Sequence, residues 1–305
     1  EKTHVPTTLT ENIKEKLIHL DLLLKASIVH QPEAIAKLSA ALRRSFILMG
    51  KRKKPLASFL FLGPTGVGKT ETGKAIAKIF FGGETYLDRF DMSNYQSNTD
   101  IPQLIGSLDT ANPGLLSKAV RENPYGVLLL DEIEKANKDL VNIFLSVLDE
   151  GYFTDGFGKR VDCKNLVIVA TSNAGSDFLY THTQGVQAQN THPEGVLVNY
   201  LVEQKIFTPE FLNRFDAVIA YNPLDPDSAK QIARKMIQKI TEDVLNLHKV
   251  KVNVSDTFLD DLISKGYDEK FGARNLERLI RDQIEDKIAK LILEDKVKEG
   301  ETINL

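Results

Sequence analysis

The chain has 305 residues, of which 42% are hydrophobic and 27% are charged, and this composition excludes a disordered chain. Its 42 acidic and 39 basic residues leave a net charge of −3, so the sequence carries no electrostatic footprint for nucleic acid. No apolar run approaches the ~20 residues that a membrane helix needs, and a single cysteine, Cys163, excludes an intramolecular disulfide, so we expect a cytoplasmic protein without nucleic-acid or membrane partners.

Helical patterns dominate the first 50 residues. The chain begins without Met, and we expect a fragment of a longer protein whose residues 1–32 form a leader and a linker helix. Four apolar residues share one face of that helix, namely Ile13, Leu17, Leu20 and Leu24. Pro32 suits the first turn of a helix, and the apolar spacing predicts a second helix from Glu33 to about Leu48. The basic run Lys51–Lys54 is more typical of a solvated loop than of a polyanion site.

Apolar strands then alternate with helices. Five strands are predicted, at Ser58–Leu62, Tyr86–Asp91, Gly126–Leu130, Leu166–Thr171 and Ala217–Tyr221. Helices are predicted between them at Lys69–Phe80, Leu115–Glu122 and Leu140–Asp149, and residues 176–206 form a longer, partly helical insertion. Such alternation indicates an α/β fold with a parallel sheet that helices cover on both faces.

A change of pattern occurs at residues 222–226, where two prolines beside Asn and Asp interrupt regular structure. Beyond this point the sequence predicts helices at Asp227–Asn246, Asp256–Lys265 and Ala273–Leu293, with short strands at Val250–Val254 and Thr302–Leu305. We therefore predict a large domain at residues 33–222 and a small, mostly helical lid domain at residues 223–305.

A glycine-rich turn follows the first predicted strand. Residues 63–70 match G-x-x-x-x-G-K-[ST] at every required position. In such a turn the glycines let backbone N–H groups surround a phosphate chain, because they adopt angles that other residues disfavour. The sequence thus predicts that Lys69 reaches the β- and γ-phosphates and that the Thr70 hydroxyl binds Mg²⁺. An ordinary glycine-rich turn is the less favoured interpretation.

Two carboxylates, Asp131 and Glu132, end the third predicted strand. A hydrolytic phosphate-loop enzyme needs one carboxylate here to hold Mg²⁺ and a second to polarise the water that attacks the γ-phosphate. An apolar strand that ends in Asp-Glu is a weak indication alone, but this one lies in the same alternating domain as Lys69. We therefore predict Asp131 as a metal ligand beside Thr70, and Glu132 as the general base.

Three other polar residues each have two interpretations. Asn173 follows the fourth predicted strand, where it either orients a water or the γ-phosphate, or simply forms a turn. Arg214 and Arg274 are either surface arginines in salt bridges or guanidinium groups aimed at the charge that develops during phosphoryl transfer. Sequence spacing does not decide between these interpretations.

Together, the motifs resemble the AAA+ ATPase module of the Clp-type unfoldases and disaggregases, the ClpA/ClpB/ClpC group. The resemblance spans nearly the whole chain and is carried by residues 63–71, 130–136, 171–175, 209–214 and 271–274. The leader, with Val5 and Pro6, resembles the start of the second ATPase module in two-ring members. The resemblance implies an AAA+ fold with a lid domain, ATP and Mg²⁺ as cofactors, and ATP hydrolysis.

The resemblance also implies a role for each ambiguous residue. Asn173 matches the sensor-1 position, Arg274 matches sensor 2, which contacts the γ-phosphate, and Arg214 matches the arginine finger that reaches a neighbour's nucleotide. A finger supplied in trans implies a ring, usually a hexamer. The implied catalytic residues are Lys69, Glu132, Asn173, Arg214 and Arg274. The implied nucleotide-binding residues are Ile28, Val29, Pro64, Thr65, Gly66, Val67, Gly68, Lys69, Thr70, Glu71, Ile232, Ala273 and Arg274.

The chain departs from the family pattern in several places. Residues 107–114 are shorter and lack the aromatic of the Gly-Tyr-Val-Gly loop with which the family grips unfolded polypeptide. Residues 151–158 do carry aromatics, either for packing or as a substitute grip. His30 stands where the family usually has Gly. A polar residue begins the segment Gln184, Gly185 and Val186, where ClpA and ClpC carry a hydrophobic tripeptide for peptidase docking, so we do not expect such docking.

Two functions remain open from the sequence. The first is an ATP-hydrolysing ring that unfolds or remodels a polypeptide substrate, as a chaperone does. The second is a nucleotide switch or scaffold that drives assembly or partner binding without threading, which the short segment 107–114 favours. The net charge disfavours a nucleic-acid motor, and the intact Lys69, Asp131, Glu132 and Arg214 disfavour nucleotide binding without hydrolysis.

Overall fold

Two compact units make up the chain. The computed structural model describes residues 10–49, 53–183, 193–268 and 272–305. The first unit consists of Glu1–Gly63 and Gly68–Tyr221, and the second of Pro64–Val67 and Asn222–Leu305. Each unit has its own cluster of buried apolar side chains, as a folded domain requires.

Three helices open the first unit: α1 (Glu11–Ile18), α2 (Leu20–Ser27) and α3 (Pro32–Ile47). The first predicted helix is broken at His19, whose backbone leaves the helical region and caps both α1 and α2. The break lets two short helices pack on α3, and all four residues of the predicted apolar face are buried. Arg43 of α3 ties them together, because its Nε donates to the carbonyl oxygen of Leu17 at 2.9 Å and its Nη2 pairs with Asp21.

A five-stranded parallel sheet forms the centre of the first unit, which confirms the predicted fold class. In chain order the strands of this unit are β1 (Ala57–Leu62), β2 (Leu87–Asp91), β3 (Gly126–Asp131), β4 (Tyr152–Thr154), β5 (Arg160–Asp162), β6 (Leu166–Ser172) and β7 (Ala217–Ala220). The sheet has the order β2-β3-β6-β1-β7. Its register pairs Leu62 with Ser172 and Leu130 with Ala170, so the carboxyl ends of β1, β3 and β6 meet at one edge.

Over its described residues the first unit has seven further α-helices: α4 (Lys69–Ile76), α5 (Ile101–Ile105), α6 (Leu115–Glu122), α7 (Lys138–Glu150), α8 (Ser176–Thr183), α9 (Pro193–Glu203) and α10 (Pro209–Leu212). The helix predicted at Lys69–Phe80 is α-helical only to Ile76 and continues as a π-turn at Ala77–Phe81. The wider turn directs both neighbouring aromatics inward, where Phe80 stacks on Phe46 and Phe81 meets Tyr125 edge-on, each at 4.5 Å between ring centroids.

An antiparallel hairpin of β4 and β5 was not predicted, although its connection contains Asp155-Gly156, a dipeptide typical of hairpin turns. Phe153 of β4 is buried in the core of the first unit, while Phe157 in the turn is only half-buried. The buried Asp155 closes the turn by accepting from the backbone N–H groups of Phe157 and Lys159 at 2.9 and 2.8 Å and from Arg121 at 2.6 Å. Burial opposes ionisation, but these donors outweigh it and hold the pKa of Asp155 below its ordinary value.

The second unit is mainly helical. Its elements are α11 (Pro226–His248), β8 (Lys251–Asn253), α12 (Asp256–Gly266), α13 (Arg274–Ile280), α14 (Asp286–Leu293) and β9 (Thr302–Asn304). Asp225 caps α11 and Ser255 caps α12, and β8 pairs with β9 in parallel. The helix predicted at Ala273–Leu293 contains a π-turn at Arg281–Glu285. Among the described residues, no helix is long and apolar enough to cross a membrane.

Candidate active site

The phosphate-loop motif connects β1 to α4. Gly63 has φ of 146° and Gly68, at the N-terminus of α4, has φ of 102°. A side chain at Gly63 would place Cβ 2.6 Å from the carbonyl oxygen of Tyr221, closer than atoms approach. Glycine is therefore required at Gly63 by both backbone angle and space.

A buried pair of hydroxyl groups stabilises the start of α4, and the sequence analysis did not predict it. Tyr221, just after β7, is fully buried, and its hydroxyl donates to Thr72 Oγ1 at 2.9 Å. Burial raises the pKa of Tyr221, so its hydroxyl stays protonated and neutral. The Thr72 hydroxyl in turn lies 2.9 Å from the carbonyl oxygen of Gly68 and donates to it. The start of α4 is thereby tied to the strand beside it.

Lys69 lies at the edge of the sheet where β1 and β6 end. Only 7% of the residue is exposed. Its Nζ donates to the carbonyl oxygen of Gly63 at 2.6 Å and to Oδ1 of Asn173 at 2.8 Å. The structure thus brings together two residues predicted for the site that lie more than 100 positions apart in the chain.

Asp131, at the end of β3, is 5% exposed and accepts from two side chains. Thr171 Oγ1 donates to its Oδ1 at 2.6 Å, and Arg89 on β2 donates from Nε and Nη2 to its Oδ2 at 2.6 Å each. Arg89 and Thr171 were not predicted for the site. They lie on the two strands that flank β3, and only strand order identifies them as neighbours of Asp131.

Glu132 follows Asp131 with a left-handed backbone, at φ of 54° and ψ of 49°. Its Oε1 accepts from Asn173 Nδ2 at 3.3 Å, and its Oε2 pairs with Lys135 Nζ at 2.5 Å. The backbone N–H of Asn173 donates to Glu134 Oε1 at 3.0 Å. Asn173 therefore bridges Lys69 and Glu132 through the two ends of its amide.

The other nucleotide-binding residues that the resemblance implies in the first unit are buried to different degrees. Ile28 is buried, and its Cγ2 lies 3.9 Å from the position of a Cβ on Gly68. Val29 is half-buried. Thr70, in the first turn of α4, is half-buried, whereas Glu71 is exposed and pairs with Lys74 at 2.6 Å. Glu71 therefore directs its carboxylate to a helix neighbour.

His30 follows Ile28 and Val29 and has a left-handed backbone at φ of 58°. Glycine adopts this conformation at no steric cost, whereas other residues do so only at a cost of about 1 kcal/mol. The backbone of this chain thus keeps the conformation that suits the glycine of the family pattern.

Arg214 follows α10 in the first unit and is partly exposed. Its guanidinium pairs with Asp149 of α7 and with Glu210 at 2.9 Å. Neither carboxylate belongs to the cluster around Lys69. In this chain Arg214 is therefore held at a different position from the predicted site residues of its own unit.

The remaining predicted residues belong to the second unit. Val67 and Ala273 are buried, and the backbone N–H of Ala273 donates to the carbonyl oxygen of Gly66 at 3.3 Å. Ile232 on α11 is half-buried, and Arg274 is exposed at the first position of α13. Pro64 and Thr65 lie in this unit as well. The segment Gln184, Gly185 and Val186 lies outside the described residues.

Comparison with known proteins follows the same division of the chain. Residues 54–218 match the family model described as AAA domain (Cdc48 subfamily), and residues 224–305 match the C-terminal, D2-small domain of ClpB protein. The Chaperone protein ClpB 1 of Synechocystis is 41% identical over 299 residues, which cover 97% of this chain and 33% of the relative.

Two solved structures of Hsp104 resemble this chain in fold and in sequence. The S. cerevisiae Hsp104–ADP complex has a TM-score of 0.85 at 34% identity, and the match covers 97% of this chain and 52% of that one. A closed-state reconstruction of Hsp104 with ATPγS and FITC casein has a TM-score of 0.83 at 34% identity, covering 99% of this chain and 52% of that one. The chain thus spans about a third of the curated relative and half of the solved chains.

Proposed function

The chain belongs to the Clp-type AAA+ ATPases, and from this membership we propose that it binds Mg-ATP, hydrolyses it and uses the cycle to unfold or remodel proteins. The observation that carries the proposal is the polar connection from Lys69 through Asn173 to Glu132. It joins a phosphate-binding cation to a carboxylate base by one amide. Such an arrangement is suited to coupling γ-phosphate binding to activation of water.

The nucleotide phosphates are proposed to lie in the turn of residues 63–70. Positive-φ glycines leave room for backbone N–H groups to face an anion, and α4 begins directly after the turn, so its N-terminus favours negative charge. Lys69 already directs its ammonium to two oxygen acceptors at this edge, the Gly63 carbonyl and the Asn173 amide. A γ-phosphate would replace these weaker acceptors.

The residues at the end of β3 suit Mg²⁺, which prefers oxygen ligands and keeps several waters. Asp131 and Thr70 would hold it, and the ion would neutralise charge on the β- and γ-phosphates. The buried Asp131 carboxylate is already balanced by Arg89, a cation whose side chain is 48% exposed. Asp131 therefore already has a positively charged partner. When Mg²⁺ binds, the half-exposed Arg89 side chain can turn towards solvent.

We expect Arg89→Met to destabilise the metal-free protein by about 1–2 kcal/mol, because Asp131 Oδ2 would lose its donors while still buried. The free energy of unfolding in urea would measure this loss. Mg²⁺ with ADP should reduce the difference from the wild type, because the cation takes over the guanidinium's role. Arg44→Met, at an exposed position of α3, is the matched control. An equal loss with and without Mg²⁺ and ADP would contradict the assignment of Asp131.

The chemistry proposed for the bound state uses five side chains. Lys69 holds the γ-phosphate, and Asn173 turns its amide between the phosphate and Glu132. Glu132 accepts a proton from the attacking water, so that a hydroxide equivalent reaches phosphorus. Arg274 is proposed to contact the γ-phosphate from the lid domain, while Arg214 is proposed to stabilise the charge that develops in a neighbouring subunit.

A ring is part of the proposal because Arg214 is held away from its own site by Asp149 and Glu210. An arginine finger supplied in trans needs a second copy, and a closed ring gives every copy a neighbour. The family's usual number is six. Docking to a peptidase through residues 184–186 is not part of the proposal.

ATP-driven unfolding of a tagged fluorescent protein by the full-length chain tests the remodelling function. We expect fluorescence to fall with ATP and Mg²⁺ but not with ADP. The solved relative with FITC casein in its title makes a polypeptide a reasonable substrate class to assay. Full ATPase activity without any unfolding would instead support the second candidate function.

That second candidate is a nucleotide switch or scaffold without threading, and one observation favours it. Residues 107–112 form a closed turn, with the backbone N–H groups of Ser107 and Asn112 each donating to the other residue's carbonyl at 2.9 and 3.1 Å. The turn packs against the β4–β5 hairpin, where Gly156 donates to the Ile105 carbonyl at 3.1 Å. Leu108 is its large exposed apolar residue, which offers less packing area than an aromatic ring.

A further inference from the structure

Tyr221 contacts the first end of the turn of residues 63–70 through its backbone and its ring. Its N–H donates at 2.7 Å to the carbonyl oxygen of Leu62, the last residue of β1. Its own carbonyl oxygen faces Gly63, where a Cβ would come within 2.6 Å. Its ring packs on Phe61, with 5.3 Å between the ring centroids. The start of the turn is therefore packed directly against Tyr221.

The same residue reaches the other end of the turn through its hydroxyl. The Tyr221 hydroxyl lies 2.9 Å from Thr72 Oγ1, which in turn lies 2.9 Å from the carbonyl oxygen of Gly68. A carbonyl oxygen can only accept, so the Thr72 proton is directed to Gly68 and the Tyr221 proton to Thr72. Tyr221 and Thr72 are each 1% exposed, which keeps bulk water away from both bonds. Both ends of the turn are thus attached to one buried residue.

Holding the Gly68 carbonyl fixes the direction of the next N–H group. That carbonyl oxygen accepts twice from Thr72, from Oγ1 and from the backbone N–H, each at 2.9 Å. In a trans peptide the C=O and the following N–H point in opposite directions, and the described backbone contains no cis bond. Because the Gly68 oxygen is directed into α4, the Lys69 N–H is directed out of its N-terminus. Groups of this kind bind anions at helix N-termini.

We propose that Tyr221 and Thr72 are positioning residues for phosphate binding, because their hydroxyl pair holds the Gly68 carbonyl so that the first N–H group of α4 faces the phosphates. This role rests on the proposed function, since it requires a nucleotide in the turn of residues 63–70. Both hydroxyls are buried and act only through the peptide between Gly68 and Lys69. Loss of the pair should therefore weaken nucleotide binding and leave the rate of the chemical step nearly unchanged.

Tyr221→Phe and Thr72→Val each remove one hydroxyl and keep the shape of the side chain. Each should raise the Kd for Mg-ADP, measured by isothermal titration calorimetry, by about three- to tenfold, as expected for one lost hydrogen bond. KM for ATP should rise by the same factor while kcat stays within about twofold, because the pair affects the ground state and the transition state alike. Thr72→Ser retains a hydroxyl and should keep Kd within about twofold of the wild-type value.

Tyr125→Phe is the matched control for the tyrosine variant. The Tyr125 hydroxyl is also buried in the first unit, but it has no hydrogen-bond partner among the described residues. The ring, which meets Phe81 edge-on, is retained. This change should leave Kd, KM and kcat unchanged, so a shift in Tyr221→Phe would come from the lost hydrogen bond and not from the loss of a tyrosine hydroxyl as such.

The double variant, Tyr221→Phe with Thr72→Val, separates positioning from stability. Thr72→Val alone leaves the Tyr221 hydroxyl buried without its acceptor, so this variant should unfold at a lower urea concentration than the wild type. The double variant has no such hydroxyl and should recover much of the lost stability. Its Kd should nevertheless stay raised by about three- to tenfold, as in either single variant, because the same hydroxyl pair is broken in all three.

Recovery of Kd together with stability in the double variant would reduce the pair to a structural role and refute the proposal. An unchanged Kd in Tyr221→Phe, or a fall in kcat at constant KM, would do the same. If the wild type binds Mg-ADP but does not hydrolyse ATP, the proposed hydrolysis fails, while the Kd values still decide the role of the pair. If the wild type does not bind Mg-ADP, both fail. Should Thr72→Val not fold, judged by circular dichroism, Tyr221→Phe and the double variant answer the same question.

Discussion

Replacing Glu132 by Gln is expected to lower ATP turnover by about 10²- to 10⁴-fold, the usual contribution of a general base. The amide keeps the shape of the side chain and its contact with Asn173, which lies 3.3 Å away, but it cannot take up the proton of the attacking water. Lys69 and the glycine-rich turn remain intact, so ATP binding should persist. Single-turnover hydrolysis together with equilibrium binding of ATP would measure the two effects separately.

The matched control for this variant is Glu122→Gln. Glu122 ends α6, is exposed and pairs with Lys118 at 3.8 Å, so turnover should be unchanged. Turnover of Glu132→Gln within a factor of about two of the wild type would remove Glu132 as the base. Loss of ATP binding would instead indicate that its carboxylate helps to hold the turn together.

Arg214→Ala is the second change with a large expected effect. It should lower the rate of ATP hydrolysis by about 10³-fold or more, because an arginine finger contributes that much in related phosphoryl transfers. In its own chain Arg214 pairs with the carboxylates of Asp149 and Glu210. Its removal should leave ATP affinity unchanged, since Lys69 and its partners are not touched. Arg234→Ala, which removes an exposed arginine paired with Asp256, is the control.

Mixing two inactive variants tests whether Arg214 acts in trans. Arg214→Ala keeps its base and lacks its finger, whereas Glu132→Gln keeps its finger and lacks its base. In randomly mixed rings made from equal amounts, about a quarter of the sites combine an intact base with a neighbour's intact finger. Hydrolysis should therefore return on mixing to about that fraction of the wild-type rate. No recovery in mixed rings, verified by subunit exchange, would place Arg214 in cis or outside the reaction.

Sequence alone was enough to predict the first unit's sheet and the position of its motifs. All five strands predicted for this unit are present, and every end agrees within one residue, because buried parallel strands are short continuous apolar runs bounded by turns. The turn at residues 63–70 was recognisable because its chemistry needs consecutive residues. Asp131 and Glu132 were recognisable for the same reason, since they follow directly on a buried strand.

Helix interiors were harder to predict. The π-turn at Ala77–Phe81 and the break at His19 both lie inside patterns that a regular helix would also produce. In each case tertiary packing chose the irregular form. Phe80 stacks on Phe46 and Phe81 meets Tyr125 at the widened turn, and the two short helices before α3 bury their apolar residues with a bend between them.

The partners of the site residues were decided by tertiary structure alone. Arg89 and Thr171 meet Asp131 because β2 and β6 flank β3, and strand order is not encoded in any local pattern. Lys135 is close in sequence to Glu132, yet its pairing depends on the left-handed angle of Glu132. The sequence by itself thus determined which side chains are candidates for the chemistry, because the motifs are contiguous. Only the fold decided which donors hold them, because those donors arrive from separate strands.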